Sequence, residues 1–188
     1  MTMNKQYFLF SSDCNNYKQL ILPTFEERDY ISSIIGRPCN NPKVLNADWI
    51  TETDDNHKLS VPDIAFINTY IPVCNEKVFK LLQASNYMLG NEFIPINIES
   101  YKWYIINICT QYEGILNLHK SKLSRYDDGR IMWISKFVFK KEILDESLFY
   151  LKEQPVSYFC TESFMNLLNA NNIKGLIYTE CKIKKSFF

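Results

Sequence analysis

The chain has 188 residues, is 46% hydrophobic and 15% aromatic, and carries 21 basic and 21 acidic residues, so its formal net charge is zero. That length fits one domain with a core large enough to stand without a metal or disulfide staple. An ordinary charged fraction of 22% argues against a disordered chain, and the balanced charge lacks the basic excess of a nucleic-acid binder.

Tyr7–Phe10 is short, apolar and aromatic and predicts a first strand. Residues 11–60 read as loop-rich. Pro23, Pro38 and Pro42, the pairs Asn15-Asn16 and Asn40-Asn41 and the acidic patch TETDD punctuate them, leaving room for short elements around Leu20–Leu22 and Glu27–Ile35. Val61-Pro62-Asp63-Ile64 opens a more regular part. Asn75 suits a helix N-cap, and Val78, Phe79, Leu81 and Leu82 form the apolar stripe of an amphipathic helix that ends before Gly90. Phe93, Ile94, Ile96 and Ile98 predict a strand, with Pro95 marking an edge or a bulge. Glu99-Ser100 is a tight turn into a central strand over Tyr101–Cys109, so the two strands form a hairpin.

Tyr112–Leu118 is a short apolar segment, and residues 119–130 form a polar loop ending in Asp-Asp-Gly. Ile131–Phe139 predicts a strand in which Met132, Ile134 and Lys136 alternate with Ile131, Trp133 and Ser135. Two short strands, Leu148–Leu151 and Val156–Cys160, flank Pro155. Thr161 caps a helix with Phe164, Leu167 and Leu168 on one face, and Gly175 precedes a last strand over Leu176–Cys181. Strands and helices interleave without a repeating βα period. The expected fold is α+β: a mostly antiparallel twisted sheet with two or three packed helices and a loop-rich N-terminal part. Residues 1–60 are the variable N-terminal part of the same domain as the core, 61–188.

The six cysteines lie more than twenty residues apart, so no CxxC zinc or redox pair exists. The N-terminus has only a four-residue apolar stretch, and no run approaches the ~18 apolar residues of a membrane span. A cytoplasmic protein with six free, mostly buried thiols is expected. No GxGxxG or GxxxxGK[ST] loop cradles a phosphate. Glu52, Asp54 and Asn56 alternate as in a calcium loop, but the glycine and the terminal glutamate of that loop are missing, so no metal or other cofactor is expected. Only His57 and His119 could serve as an imidazole base, and a nucleophile pair of His119 with Cys109 or Cys160 would have to assemble through the fold.

Charge is unevenly placed. Residues 1–116 hold 13 acids and 9 bases, a net of −4, and the remainder is +4. Trp103 and Trp133 sit inside apolar strands and read as core, whereas Trp49 adjoins the polar TETDD stretch. An aromatic beside charges either closes loops over the sheet or anchors an interface.

The order of Pro62-Asp63-Ile64, the helix Asn75–Ala84 and the strands Glu92–Ile98 and Tyr101–Ile108, followed by Ile115–Ser121, Trp133–Phe139, Leu148–Leu151 and the helix-Gly-Leu-Ile-Tyr segment Ser163–Tyr178, resembles a family of immunity proteins of bacterial polymorphic toxin systems, formerly a domain of unknown function, of the immunity-protein eleven or forty-three type. The resemblance covers about residues 60–182 and rests on apolar, structural motifs. It implies a non-catalytic protein that binds and neutralises a cognate toxin, encoded nearby, inside the producing cell, with neither nucleic acid nor membrane as partner. The expected partner-binding residues are Trp49, Glu52, Asp54 and Asp55. Two other readings stand beside it: a small cysteine–histidine hydrolase or transferase, and a structural adaptor of a secretion system. No pattern specifies a symmetric interface, so the oligomeric state is open.

Overall fold

A computed structural model describes residues 6–50, 59–140 and 148–183. In chain order the elements are β1 (Tyr7–Ser12), β2 (Leu20–Ile21), α1 (Phe25–Ile34), β3 (Leu45–Trp49), β4 (Ile64–Ile67), β5 (Ile71–Cys74), α2 (Glu76–Gln83), a 3-10 turn (Asn86–Met88), β6 (Glu92–Ile98), β7 (Tyr101–Asn107), β8 (Gln111–Tyr112), β9 (Lys122–Arg125), β10 (Ile131–Lys136), β11 (Val138–Phe139), β12 (Leu148–Leu151), β13 (Gln154–Thr161), α3 (Glu162–Ala170) and β14 (Leu176–Ile183).

These elements make a strand-dominated mixed fold in which the strands divide into three groups. A six-stranded sheet runs β11-β14-β1-β13-β12-β8, a closed barrel runs β2-β3-β6-β7-β5-β4, and β9-β10 form a separate two-stranded hairpin. The six-stranded sheet has antiparallel pairings at its centre and a parallel pairing at each margin. The barrel was not legible as such in the sequence, where a single sheet was expected. Residues before 60 are woven into both large sheets: β1 lies between β14 and β13, and β2 and β3 are barrel strands.

The period-2 geometry of strands builds three apolar layers from these groups. In the barrel, Ala65, Ile67, Ile71, Val73, Ile94, Ile96, Trp103 and Ile105 point inward. Their strand neighbours Ile64, Phe66, Cys74, Tyr104 and Ile106 point outward, into a second layer shared with α2, α3 and one face of the six-stranded sheet. The other face of that sheet carries Tyr7, Phe149, Leu151, Phe159 and Cys181, which pack under Phe137, Phe139 and the hairpin's Ile134. Because the barrel wall is buried on both faces, β4 and β5 are wholly apolar and show no alternation. These two strands joined by Asn68-Thr69, both with positive φ, were not anticipated.

Local chemistry accounts for most of the remaining elements. Thr24 caps α1 in a reciprocal capping box with Glu27, and Glu27 also accepts from the Asn46 backbone, tying the helix to β3. Ile31 of α1 then plugs one end of the barrel. Asn75 caps α2 and Thr161 caps α3, as expected. Glu99 and Ser100 both take positive φ, as a two-residue hairpin turn requires, and β6 and β7 pair in full register from Ile98↔Tyr101 to Glu92↔Asn107. Pro95 does not make β6 an edge. β6 lies between β3 and β7, and its ladder with β3 starts at Ile96, so no N–H is demanded of the proline.

The Pro62-Asp63-Ile64 motif has a structural purpose. Backbone N–H groups of Asp63 and Ile64 both donate to the Lys174 carbonyl, and the Asp63 carboxylate accepts from the Lys174 N–H (3.0 Å) and the Asn75 side chain (2.8 Å). One carboxylate thus joins the barrel, the α2 cap and the entry to β14. Gly175 passes so close that an added Cβ would overlap the Ile64 carbonyl oxygen and stand 2.7 Å from Pro62.

Candidate functional site

At the barrel end opposite α1, the inward-facing Trp49 and Trp103 meet edge to face, with ring centroids 5.6 Å apart at 79°. Both are only 7% exposed. Above them opens a depression of about 490 Å³, lined by Trp49, Trp103, Ile98, Tyr101, Val61 and the first residues of α2. Glu76, Lys77, Glu99 and Lys102 stand around it, two of each sign. Tyr101 is 72% exposed and Val61 54% exposed, so the rim presents apolar surface to solvent. The Glu99-Ser100 turn fixes Tyr101 at the rim, and α2 is held beside it by Phe79, which stacks flat on Tyr104 with centroids 3.8 Å apart.

Of the expected partner-binding residues, Trp49 is therefore a buried floor residue rather than an exposed anchor, because β3 alternates Leu45, Ala47 and Trp49 into the barrel. Glu52, Asp54 and Asp55 lie outside the described residues. Of the described residues on either side of them in the chain, Trp49 and Val61 both line the depression. Sequence reasoning missed Tyr101, whose signal was a large aromatic directly after a tight turn.

Trp133 is the reverse case. It was expected in the core and is 51% exposed. A register shift between Ile131 and Trp133 interrupts the alternation, so Ile131 and Ile134 face the sheet while Met132 and Trp133 face solvent.

A second cleft, of about 210 Å³, lies where the end of α1 meets β13, lined by Gly36, Tyr70, Tyr150 and Tyr158 among others. Its walls are tied by structural bonds. Tyr150 donates to Gln111, and nearby the buried Asn107 accepts from the Gly36 N–H and donates to the Arg37 carbonyl and to Glu92.

All six sulfurs are free. Burial pushes the Cys74 and Cys160 thiols far above their ordinary value, raises Cys181 to about 12, and together with the Glu92 charge raises Cys109 to about 11. A nucleophilic cysteine needs the opposite shift. His119 is exposed, and Leu116 and Leu118, which lead into it, pack on the sheet face opposite to that of Cys160. The geometry therefore argues against the Cys160–His119 pairing. Among the described residues no helix is long and apolar enough to cross a membrane.

Neither a known family model nor any curated protein matches this chain.

Proposed function

We propose that the chain is an immunity protein that binds and neutralises a cognate protein toxin without catalysing a reaction. The resemblance carried by the ordered segments between Pro62 and Tyr178 motivates this reading. The observation that supports it most is the barrel-mouth depression: an aromatic floor, with the exposed Tyr101 and Val61 at a rim that carries charges of both signs.

That arrangement has the composition of a binding surface. Buried aromatics give a rigid floor at low entropic cost, Tyr101 supplies a large amphipathic contact, and Glu52, Asp54 and Asp55 steer a basic partner. The partner is accordingly a toxin with a basic face around an apolar projection that enters the depression. Cytoplasmic residence of the chain belongs to the same proposal, since protection is needed where the toxin would act in the producing cell.

The test is binding of the purified chain to the toxin encoded beside it. Tyr101→Ala should weaken the complex by about tenfold or more, the effect of losing a central aromatic. Asp54→Lys with Asp55→Lys should mainly slow association, and more so at low salt. Affinity unchanged by all three substitutions would remove the barrel mouth as the interface. The hydrolase or transferase reading predicts instead that His119→Ala abolishes function while leaving partner binding intact.

A further inference from the structure

The β9–β10 hairpin has no place in the barrel-mouth reading, yet it carries the least explained surface of the molecule. Its inner side is accounted for: Leu123, Ile131 and Ile134 pack on the six-stranded sheet, and the Ile134 N–H donates to the buried Gln154 side chain at 2.7 Å. The outer side is a different surface. There Trp133 pairs with Ser124, and Lys136 pairs directly with Lys122. Trp133 and Met132 are each 51% exposed, with Tyr126 beyond them at the tip.

Two like charges directly opposite one another across a ladder destabilise it. Among the described residues, no carboxylate forms an ion pair with Lys122 or Lys136. Residues 120–136 hold five bases (Lys120, Lys122, Arg125, Arg130, Lys136) and two acids. One acid, Asp128, is taken by Arg130 at 2.7 Å. The outer face is thus a large apolar anchor flanked by the Lys122–Lys136 pair, two like charges that repel one another until an anion arrives.

We infer that this outer face docks an acidic protein segment, with an apolar side chain of that segment seated on Trp133 and its carboxylates on Lys122 and Lys136. Several observations favour a protein segment over a nucleic acid. A single-stranded nucleic acid is held by several ring faces in succession. Here Trp133 is the larger open plane, and one face of the neighbouring Tyr126 ring is occupied by the Arg130 guanidinium at 5.6 Å. Met132 beside Trp133 offers adaptable apolar contact, which suits a side chain better than a base. Among the described residues no third strand pairs with β9 or β10, and since the Ile134 N–H of β10 is taken by Gln154, the β9 edge is the one left for the backbone of an extended segment. This surface has the opposite charge preference to the barrel mouth and does not depend on it.

The test uses the full chain and short fluorescein-labelled peptides in which Glu alternates with Leu or Phe, followed by anisotropy. The same peptides with Lys in place of Glu, and a single-stranded deoxythymidine oligonucleotide, serve as competitors for the interpretation. The acidic peptides should bind and be released by salt. Trp133→Ala should weaken them about tenfold or more. Lys122→Glu with Lys136→Glu should abolish binding, and Tyr101→Ala should leave it unchanged. Should the charge-reversed pair unfold, Trp133→Ala, an exposed position, carries the comparison alone. The inference is overturned if acidic peptides bind no better than their lysine counterparts, if Tyr101→Ala rather than Trp133→Ala weakens them, or if the oligonucleotide binds more tightly and is lost with the same substitutions. No toxin enters the assay, so its failure leaves the barrel-mouth reading standing and its success does not establish that reading.

Discussion

Single residues hold this fold together at crossing points where backbone groups would otherwise be buried without partners. Asn107 is fully buried and bonds four groups: the Gly36 N–H, the carbonyls of Ile34 and Arg37, and the Glu92 carboxylate. Asn107→Leu strands these groups and should cost roughly 3 kcal/mol, read by urea denaturation. Gly175→Ala should cost at least as much, since its φ of +112° and the overlap with the Ile64 carbonyl act together. Thiol labelling gives an independent map: Cys14 should react at once, Cys39 and Cys109 slowly, and Cys74, Cys160 and Cys181 only on unfolding. In the sequence Asp63 reads only as part of the entry to the regular region, and Gly175 only as the residue before the last strand. Their shared role was not readable because it joins residues more than a hundred positions apart, which no local pattern encodes.

Secondary structure was legible wherever a local signal decided it. Asn75 and Thr161 announced their helices, and Glu99-Ser100 announced the β6–β7 hairpin. Several elements escaped, β3 among them, since it lay in a stretch read as loop. β4 and β5 are apolar on both faces, so alternation could not reveal them, and β9 was read as a polar loop because its outer side is cationic. In β10 a bulge shifted the phase of alternation, so Trp133 was assigned to the core and is exposed, while Trp49, placed at a candidate interface, is part of the barrel floor. Gln154 anchors β10 to β13 through the Ile134 N–H and a bond to Ser157. Gln154→Ala should therefore speed amide exchange across the hairpin and leave the barrel amides protected. Asn75→Ala removes the α2 cap and its bond to Asp63, and should cost about 1–2 kcal/mol in thermal unfolding.

The molecule as a whole is a barrel and a sheet joined by a shared apolar layer, and the thiols and phenols buried in that layer and elsewhere in the fold make it sensitive to alkali. Cys109 and Cys181 are raised in the folded state to about 11 and about 12, against an ordinary thiol value of 9.0, chiefly by burial. Burial raises Cys74, Cys160, Tyr158 and Tyr178 as well. The unfolded chain loses these protons first, so it binds fewer protons than the folded chain and stability falls as pH rises. Full stability should hold below about pH 8.5, the ordinary thiol range, and decline through about pH 9–12, as followed by circular dichroism. Unchanged stability across that window would contradict the burial assigned to these groups.

At the same scale the barrel mouth and the β9–β10 hairpin carry different surfaces. The barrel mouth has aromatics among charges of both signs, and the hairpin has an aromatic beside a lysine pair. The central claim is that the barrel mouth binds a toxin and that binding alone protects. The measurement that tests it most directly is co-expression of the chain with the product of the neighbouring gene, scored for growth and for co-purification. The account predicts that the neighbour alone stops growth, that the chain restores it, that the two co-purify, and that Tyr101→Ala loses both effects while His119→Ala keeps them. A harmless neighbour with nothing co-purifying, or protection that survives Tyr101→Ala and is lost with His119→Ala, would contradict it.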